Sequence, residues 1–196
     1  IDSPVNFVND VDVVTVNGKT VNNKSETELY AFYKPINTMT TSSDPLNRKT
    51  IYDVLPKKYQ HLKYVGRLDY KTTGLLLLTN DGDFARRLTL PSSKIPRVYI
   101  AHVSGNTKNI DRARRGITVD NIQYAPMKID ETEPNVLRIE ICEGKKNEIR
   151  IVMRACGCPV IKLHRTSYGQ IDLGKLTPGQ IKKISQKTID EMIKTL

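Results

Sequence analysis

The chain has 196 residues, 38% of them hydrophobic and 27% charged, and its 31 Lys plus Arg against 21 Asp plus Glu give a formal net charge of +10. This is enough chain for one substantial core, or one domain with an appendage, and no apolar run approaches the ~20 residues that span a bilayer. A basic balance of this size attracts polyanions, nucleic acid above all; the plainer reading is a merely soluble basic protein.

The start, Ile1-Asp2-Ser3-Pro4, has no signal-peptide pattern, and the missing initiator Met predicts that residues precede it in the native chain. Val11 to Val16 reads as a strand running into the hairpin turn Asn17-Gly18, with Lys19 to Val21 as its return. Asn22 to Glu28 is polar and reads as a linker. The main domain opens with a strand at Leu29 to Tyr33, then a long Thr-, Ser-, Asn- and Asp-rich loop from Pro35 to Thr50 and a short helix at Ile51 to Leu55 ended by Pro56. Strands follow at Leu62–Val65 and Gly74–Thr79. Asp81 or Asp83 caps a helix over Phe84–Leu88.

Arg97 to Val103 alternates as a strand. Asn109 to Arg115 reads as a helix stopped by Gly116. Ile122–Ile129 and Val136–Cys142 are two further strands. Ile149, Val152, Met153 and Cys156 fall at helical spacing, and Gly157 ends that helix. Val160–Leu163 is another strand, and one or two amphipathic helices close the chain. Strands outnumber helices without strict alternation, so the expected class is α+β with a mixed, largely antiparallel sheet.

Two stretches concentrate the positive charge. Arg86 to Arg115 carries eight basic residues opposed by Asp111 alone, and Lys145 to Arg165 carries six opposed by Glu148 alone. If both line one cleft, they form an electrostatic footprint for phosphates. Cys142, Cys156 and Cys158 are an odd set in a chain without a secretory pattern, which points to free thiols in a reducing, cytoplasmic compartment. Their spacing fits no usual zinc pattern, and no Gly-rich phosphate loop is present, so neither metal nor nucleotide cofactor is expected.

The most informative segment is Gly66-Arg67-Leu68-Asp69-Tyr70-Lys71-Thr72-Thr73-Gly74-Leu75-Leu76-Leu77-Leu78-Thr79-Asn80-Asp81-Gly82. Leu75 to Leu78 has no polar interruption and ends in a turn, as a buried core strand does. A carboxylate beside such a strand is either structurally paired, with Arg67 the nearest candidate in sequence, or functional.

This string resembles the signature of bacterial ribosomal RNA pseudouridine synthases of the RsuA/RluB type. The resemblance runs from about Tyr30 to Ile184. It implies the pseudouridine-synthase fold with a central RNA-binding cleft, and isomerisation of uridine in ribosomal RNA with Asp69 as the catalytic residue. Glu143-Gly144-Lys145-Lys146-Asn147-Glu148-Ile149-Arg150 is similar to the family's third motif, which implies that Arg150 holds Asp69 ionised. Arg97-Val98-Tyr99 is similar to its basic-x-Tyr motif, whose Tyr stacks on the target base. Lys34-Pro35-Ile36-Asn37 resembles the first motif, with Asn37 where the family has Gly; Asn is the non-Gly residue best suited to a left-handed turn.

The resemblance further implies RNA contacts at Lys34, Arg48, Arg67, Arg97, Lys145, Lys146, Asn147 and Arg165. His164 reads equally as a strand histidine with its hydrogen bonds satisfied. The partner implied is ribosomal RNA or a ribosome-assembly intermediate, with no membrane, and the protein is expected to act as a monomer. Residues 1–28 resemble the tail and linker of an S4 RNA-binding module, with a plain N-terminal hairpin as the alternative; residues 29–196 form the catalytic domain. Arg97–Tyr99 and Tyr124-Ala125-Pro126 look more like the large-subunit, 23S type than the 16S type. A non-catalytic RNA-binding protein of ribosome assembly is the competing class. A glycosidase would want two carboxylates flanking the bond, and a nuclease a metal cluster; neither constellation is evident in the sequence.

Overall fold

A computed structural model describes residues 13–21 and 26–196. Residues 1–12 and 22–25, which include the start of the expected first strand and most of the expected linker, lie outside the described residues. In the N-terminal hairpin, β1 (Val14–Val16) pairs antiparallel with β2 (Lys19–Val21). Asn17 and Gly18 take positive φ of 51° and 74°, the turn whose twist matches its flanking strands. The end of the expected linker belongs to the main body. Asn80 donates to the Glu26 carbonyl and accepts from the Glu28 N–H, and Thr27 donates to Asp81.

The main body follows in chain order: β3 (Leu29–Lys34), α1 (Ile51–Val54), β4 (Lys63–Val65), β5 (Thr72–Thr79), α2 (Gly82–Thr89), β6 (Arg97–Val103), α3 (Asp111–Arg114), β7 (Ile117–Val119) and β8 (Ile122–Tyr124). Then come β9 (Lys128–Glu133), β10 (Val136–Ile141), α4 (Glu148–Ala155), β11 (Val160–Tyr168), β12 (Ile171–Asp172), β13 (Ile181–Lys183) and α5 (Gln186–Thr195). Nine strands form one sheet with the path β13-β3-β5-β11-β6-β10-β9; β4 also pairs with β5, and β12 with β11. Every pair is antiparallel except β5 with β11, so the sheet is mixed and largely antiparallel, and the class is α+β.

The uninterrupted Leu75–Leu78 run is explained by its place inside this sheet. Leu76 and Leu78 join Tyr30, Phe32, Tyr99 and the α4 residues Ile149, Val152 and Met153 on one face. Leu75 and Leu77 join Leu29, Ala31, Phe84 and Leu88 of α2, and Ile189 of α5 on the other. A strand covered on both faces has no polar positions to alternate. Asp81 caps α2 by accepting the Phe84 N–H at 2.9 Å.

Several expected boundaries move. The expected strand Ile122–Ile129 is two strands, because Pro126 lacks an N–H and Ala125 gives its own to the Glu143 carboxylate. The expected helix at Asn109–Arg115 shrinks to α3 after a 3-10 turn over Thr107–Asn109. The strand expected to end at Leu163 continues to Tyr168. The C-terminus holds one helix, α5, preceded by the short strand β13. Among the described residues no helix is long and apolar enough to cross a membrane.

Candidate active site

Asp69 lies half-buried in the turn that joins β4 to β5. That turn is fixed on three sides. The Asp69 carbonyl accepts from the Thr72 N–H at 2.9 Å, and the Tyr70 carbonyl accepts from the Asn37 N–H at 2.9 Å. The Thr40 hydroxyl donates to the Leu68 carbonyl at 2.8 Å and accepts from the Leu68 N–H at 3.3 Å. Asn37 does adopt the left-handed conformation, φ 55°, so Asn serves in the turn where the related motif has Gly.

β5 then meets β11 so closely that a Cβ on Gly74 would lie 2.2 Å from the Arg165 carbonyl oxygen, and Gly74 itself has φ 103°. Any side chain there would force the strands apart. This approach sets Arg165 beside the Asp69 turn. Arg165 is 2% exposed, its Nε donates to the Leu75 carbonyl at 2.7 Å and its Nη1 reaches the Tyr99 hydroxyl at 3.4 Å. Its Nη2 has no hydrogen-bond partner among the described residues. The Lys34 side chain is completely buried, and its ammonium donates to the Thr72 carbonyl at 2.8 Å and the Pro35 carbonyl at 3.0 Å. Burial pulls the Lys34 ammonium down to about 8; the negative charge of Asp69 resists that shift and the Arg165 charge adds to it. Asp69 is therefore the carboxylate that compensates this buried cation.

A cavity of about 630 Å³ opens beside these groups. Of the expected site residues, Asp69, Tyr99, Arg67, Arg97, Lys145, Lys146, Asn147 and Arg165 all line it. Tyr99 is 7% exposed on β6. Arg97 donates to the Cys142 carbonyl at 3.1 Å and the Tyr168 hydroxyl at 2.9 Å, and its guanidinium lies 4.9 Å from the Tyr168 ring centre. The Arg165 guanidinium lies 5.3 Å from the same ring, so two cations share one aromatic.

The geometry refines the expected roles of Arg150, Asn147 and Lys34, and sets Arg48 apart from the cavity. Arg150 does not clamp Asp69: its two Nη groups donate to the Val160 carbonyl at 3.1 Å and the Lys71 carbonyl at 3.2 Å. It braces the backbone next to Asp69 and acts on the carboxylate through space. Burial lowers the Arg150 pKa and Asp69 counters it. The side chain that touches Asp69 is Asn147. With its amide nitrogen facing the carboxylate, it donates to Oδ2 at 2.9 Å and Oδ1 at 3.3 Å. Asn147 precedes α4 in a left-handed conformation, φ 54°, which aims its side chain away from the helix and into the cavity. Lys34, expected at the RNA surface, is inaccessible to it. Arg48 stands outside the cavity, donating through Nε and Nη2 to Asp44 at 3.0 and 2.7 Å and lying 5.9 Å from the Tyr70 ring centre.

Tyr168 and the paired carboxyls Glu143 and Glu148 belong to the site but did not stand out in the sequence. A bulge between Arg165 and Ser167 shifts the register and brings Tyr168 to the same cavity as Arg165. His164 is bonded to Thr73 at 2.9 Å and packed on Tyr33, and burial lowers its pKa, so it is a satisfied strand histidine. Cys142, Cys156 and Cys158 are free thiols. Among the described residues no three His, Cys, Asp or Glu side chains come together as metal ligands would.

A carboxylate, buried cations beside it, an aromatic face and exposed lysines at the rim suit a reaction on a nucleotide in a polyanion. A family model described as RNA pseudouridylate synthase matches residues 28–155. The chain belongs to this family. It is 37% identical to an uncharacterised RNA pseudouridine synthase of Rickettsia typhi over 97% of this chain and 81% of that protein. It is 31% identical to the ribosomal large subunit pseudouridine synthase B of Bacillus subtilis over 92% of this chain and 77% of that one. A crystal structure of a pseudouridylate synthase superposes with a TM-score of 0.80 at 23% identity, covering 98% of this chain and 85% of that one, so the fold is that of the pseudouridine synthases. The protein is an RNA pseudouridine synthase, an isomerase.

Proposed function

We propose that the pseudouridine synthase acts on ribosomal RNA of the large subunit, with Asp69 as its catalytic residue. The observation that carries the catalytic role is the position of Asp69: at the cavity wall, bonded by Asn147, with the buried Lys34 and Arg165 nearby. The reaction breaks the N1–C1′ bond of uridine, turns the base, forms a C5–C1′ bond and releases the C5 proton. Asp69 either attacks C1′ or takes the C2′ proton, and both tasks need it ionised. Lys34, Arg165 and Arg150 place positive charge around the carboxylate. Tyr99 offers its ring to the extruded base, a stacking contact worth ~1–3 kcal/mol. Arg67, Lys145 and Lys146, exposed at the rim, meet phosphates and offset the cost of flipping the base.

The large-subunit assignment is supported by the name of the Bacillus subtilis relative. We assign the N-terminal hairpin and what precedes it to the tail of an S4-type RNA-binding module, which would raise RNA affinity without entering the chemistry. The test is tritium release from 5-³H-uridine-labelled ribosomal RNA, with wild type and Asp69→Asn, together with mapping of the modified uridine. Release lost in the variant while RNA binding persists is expected, with the pseudouridine in 23S RNA. A pseudouridine mapped to 16S RNA would overturn the target, and an active Asp69→Asn would overturn the catalytic assignment.

A further inference from the structure

The rim turn that carries Lys145 and Lys146 is held from behind by two carboxyl groups. Glu148, the first residue of α4, is 3% exposed, and its Oε2 accepts from the Lys145 N–H at 2.9 Å. Glu143 comes from the end of β10; its Oε1 accepts from the Ala125 N–H at 2.7 Å, and its Oε2 binds the Lys145 ammonium. The two side chains thus bracket Lys145, one at its backbone and one at its tip. The other Glu148 oxygen, Oε1, is buried and meets no protein donor among the described residues. A proton on this oxygen, directed at the Glu143 carboxylate, would turn the stranded acceptor into a donor.

We propose that Glu148 is a positioning residue of the active site: its neutral carboxyl locks the Glu143–Glu148 turn and so presents the adjacent Asn147 amide to Asp69. The inference rests on the reading of Asp69 as catalytic. Burial, and next the carboxylate of Glu143, push the Glu148 pKa up to about 7, while the Lys145 N–H and ammonium oppose the rise. Other charged or titratable groups meet the turn elsewhere. Arg97 of β6 binds the Cys142 carbonyl, Tyr124 of β8 lies under the Lys145 ammonium at 5.6 Å, and Arg165 of β11 lines the cavity; none of them bonds to Glu148.

The direction follows from the sign of the shift. A carboxyl whose folded pKa lies above its ordinary value stabilises the closed turn fully at acid pH and ceases to do so as pH rises through about 7. Above that, two carboxylates face each other in a desolvated place, the turn opens and Asn147 withdraws from Asp69. The enzyme therefore has an alkaline limb set by Glu148, distinct from the later one set by Lys34 at about 8.

Single-turnover tritium release should be measured from about pH 5.5 to 8.5 for wild type and Glu148→Gln. Wild-type release is expected to fall about tenfold per pH unit beyond the Glu148 limb. In Glu148→Gln the amide donates to Glu143 without titrating, so the limb moves up by about one pH unit, to that of Lys34. Superimposable profiles would overturn the proposal. Carbon-13 NMR of the wild-type carboxyl groups tests it without any variant. Glu148 should titrate well above an ordinary Glu, and the Asn147 side-chain and Lys145 backbone amides should shift along the same curve. A Glu148 that titrates as an ordinary Glu, or amides that ignore its titration, would overturn the clamp. An active Asp69→Asn would instead refute the catalytic reading of Asp69, while the carboxyl titration still decides the clamp.

Discussion

The two walls of the cavity hold their positive charges on different terms. On the sheet side Lys34, behind the cavity wall, and Arg165, within it, are 0% and 2% exposed, each pinned to strand carbonyls near Asp69. On the turn wall Lys145 and Lys146 are exposed, and Lys145 is already shared with Glu143. Buried charges interact strongly, because little solvent screens them, and they cost free energy unless compensated. Exposed ones are cheap, screened and reversible. On the proposed function, the sheet side sets the surroundings of one carboxylate, and the turn wall takes hold of a polyanion and releases it.

The sharpest way to break this division is at Asp69 itself. Asp69→Asn should reduce single-turnover tritium release by about 10²–10⁴-fold or more, with RNA affinity little changed. Arg165→Met comes next. It removes a charge-assisted contribution of about 1.5–3 kcal/mol, so kcat should fall by roughly tenfold to a hundredfold with KM nearly constant. A KM effect alone would move Arg165 to the binding side of the comparison.

Lys34 gives a test in stability. Its folded pKa of about 8 lies below the ordinary 10.5, so the unfolded chain binds the extra proton between those values. The Lys34 contribution to stability therefore rises as pH climbs through that window, and the burial cost is fully present below it. Urea midpoints should rise for wild type relative to Lys34→Met between the two pH values, and parallel curves would refute the buried, shifted lysine. The smallest effects belong to the turn wall. Lys146→Ala should weaken RNA binding a few-fold and lower the slope of log affinity against log salt by about 1, leaving single-turnover chemistry at saturating RNA unaffected.

The same division decides what could be read from the sequence. Asp69, Tyr99 and the Glu143–Arg150 segment stood out because each lies in a short contiguous pattern, and they do meet at one cavity or, for Arg150, behind it. Arg150 carries its charge near Asp69, but the direct hydrogen bond comes from Asn147 of the same segment. The left-handed residue before α4 turns Asn147 inward, and one backbone dihedral leaves no pattern in hydrophobic spacing. Lys34 and Arg165 looked like surface cations because burial of a charge is set by tertiary neighbours. β3 runs one residue farther than its apolar stretch, and β11 runs five residues past Leu163, to Tyr168. The split of Ile122–Ile129 could have been anticipated, since Pro126 cannot donate within a ladder. The core was legible in Leu75–Leu78, where both faces of one strand are covered.

The single parallel seam in the sheet also bears on how the site comes into being. Arg165 and the Leu75 carbonyl it holds are 90 positions apart along the chain, and the strands β6 and β10 are made in between. Hairpin neighbours such as β9 and β10 can pair as soon as both exist, but β5 must wait for β11. A nascent chain thus carries Asp69 in the turn before a strand whose parallel partner has not yet been synthesised, and neither Lys34 nor Asp69 has its full set of neighbours until that seam closes. On the reading of Asp69 as catalytic, competence awaits the closing of that one seam.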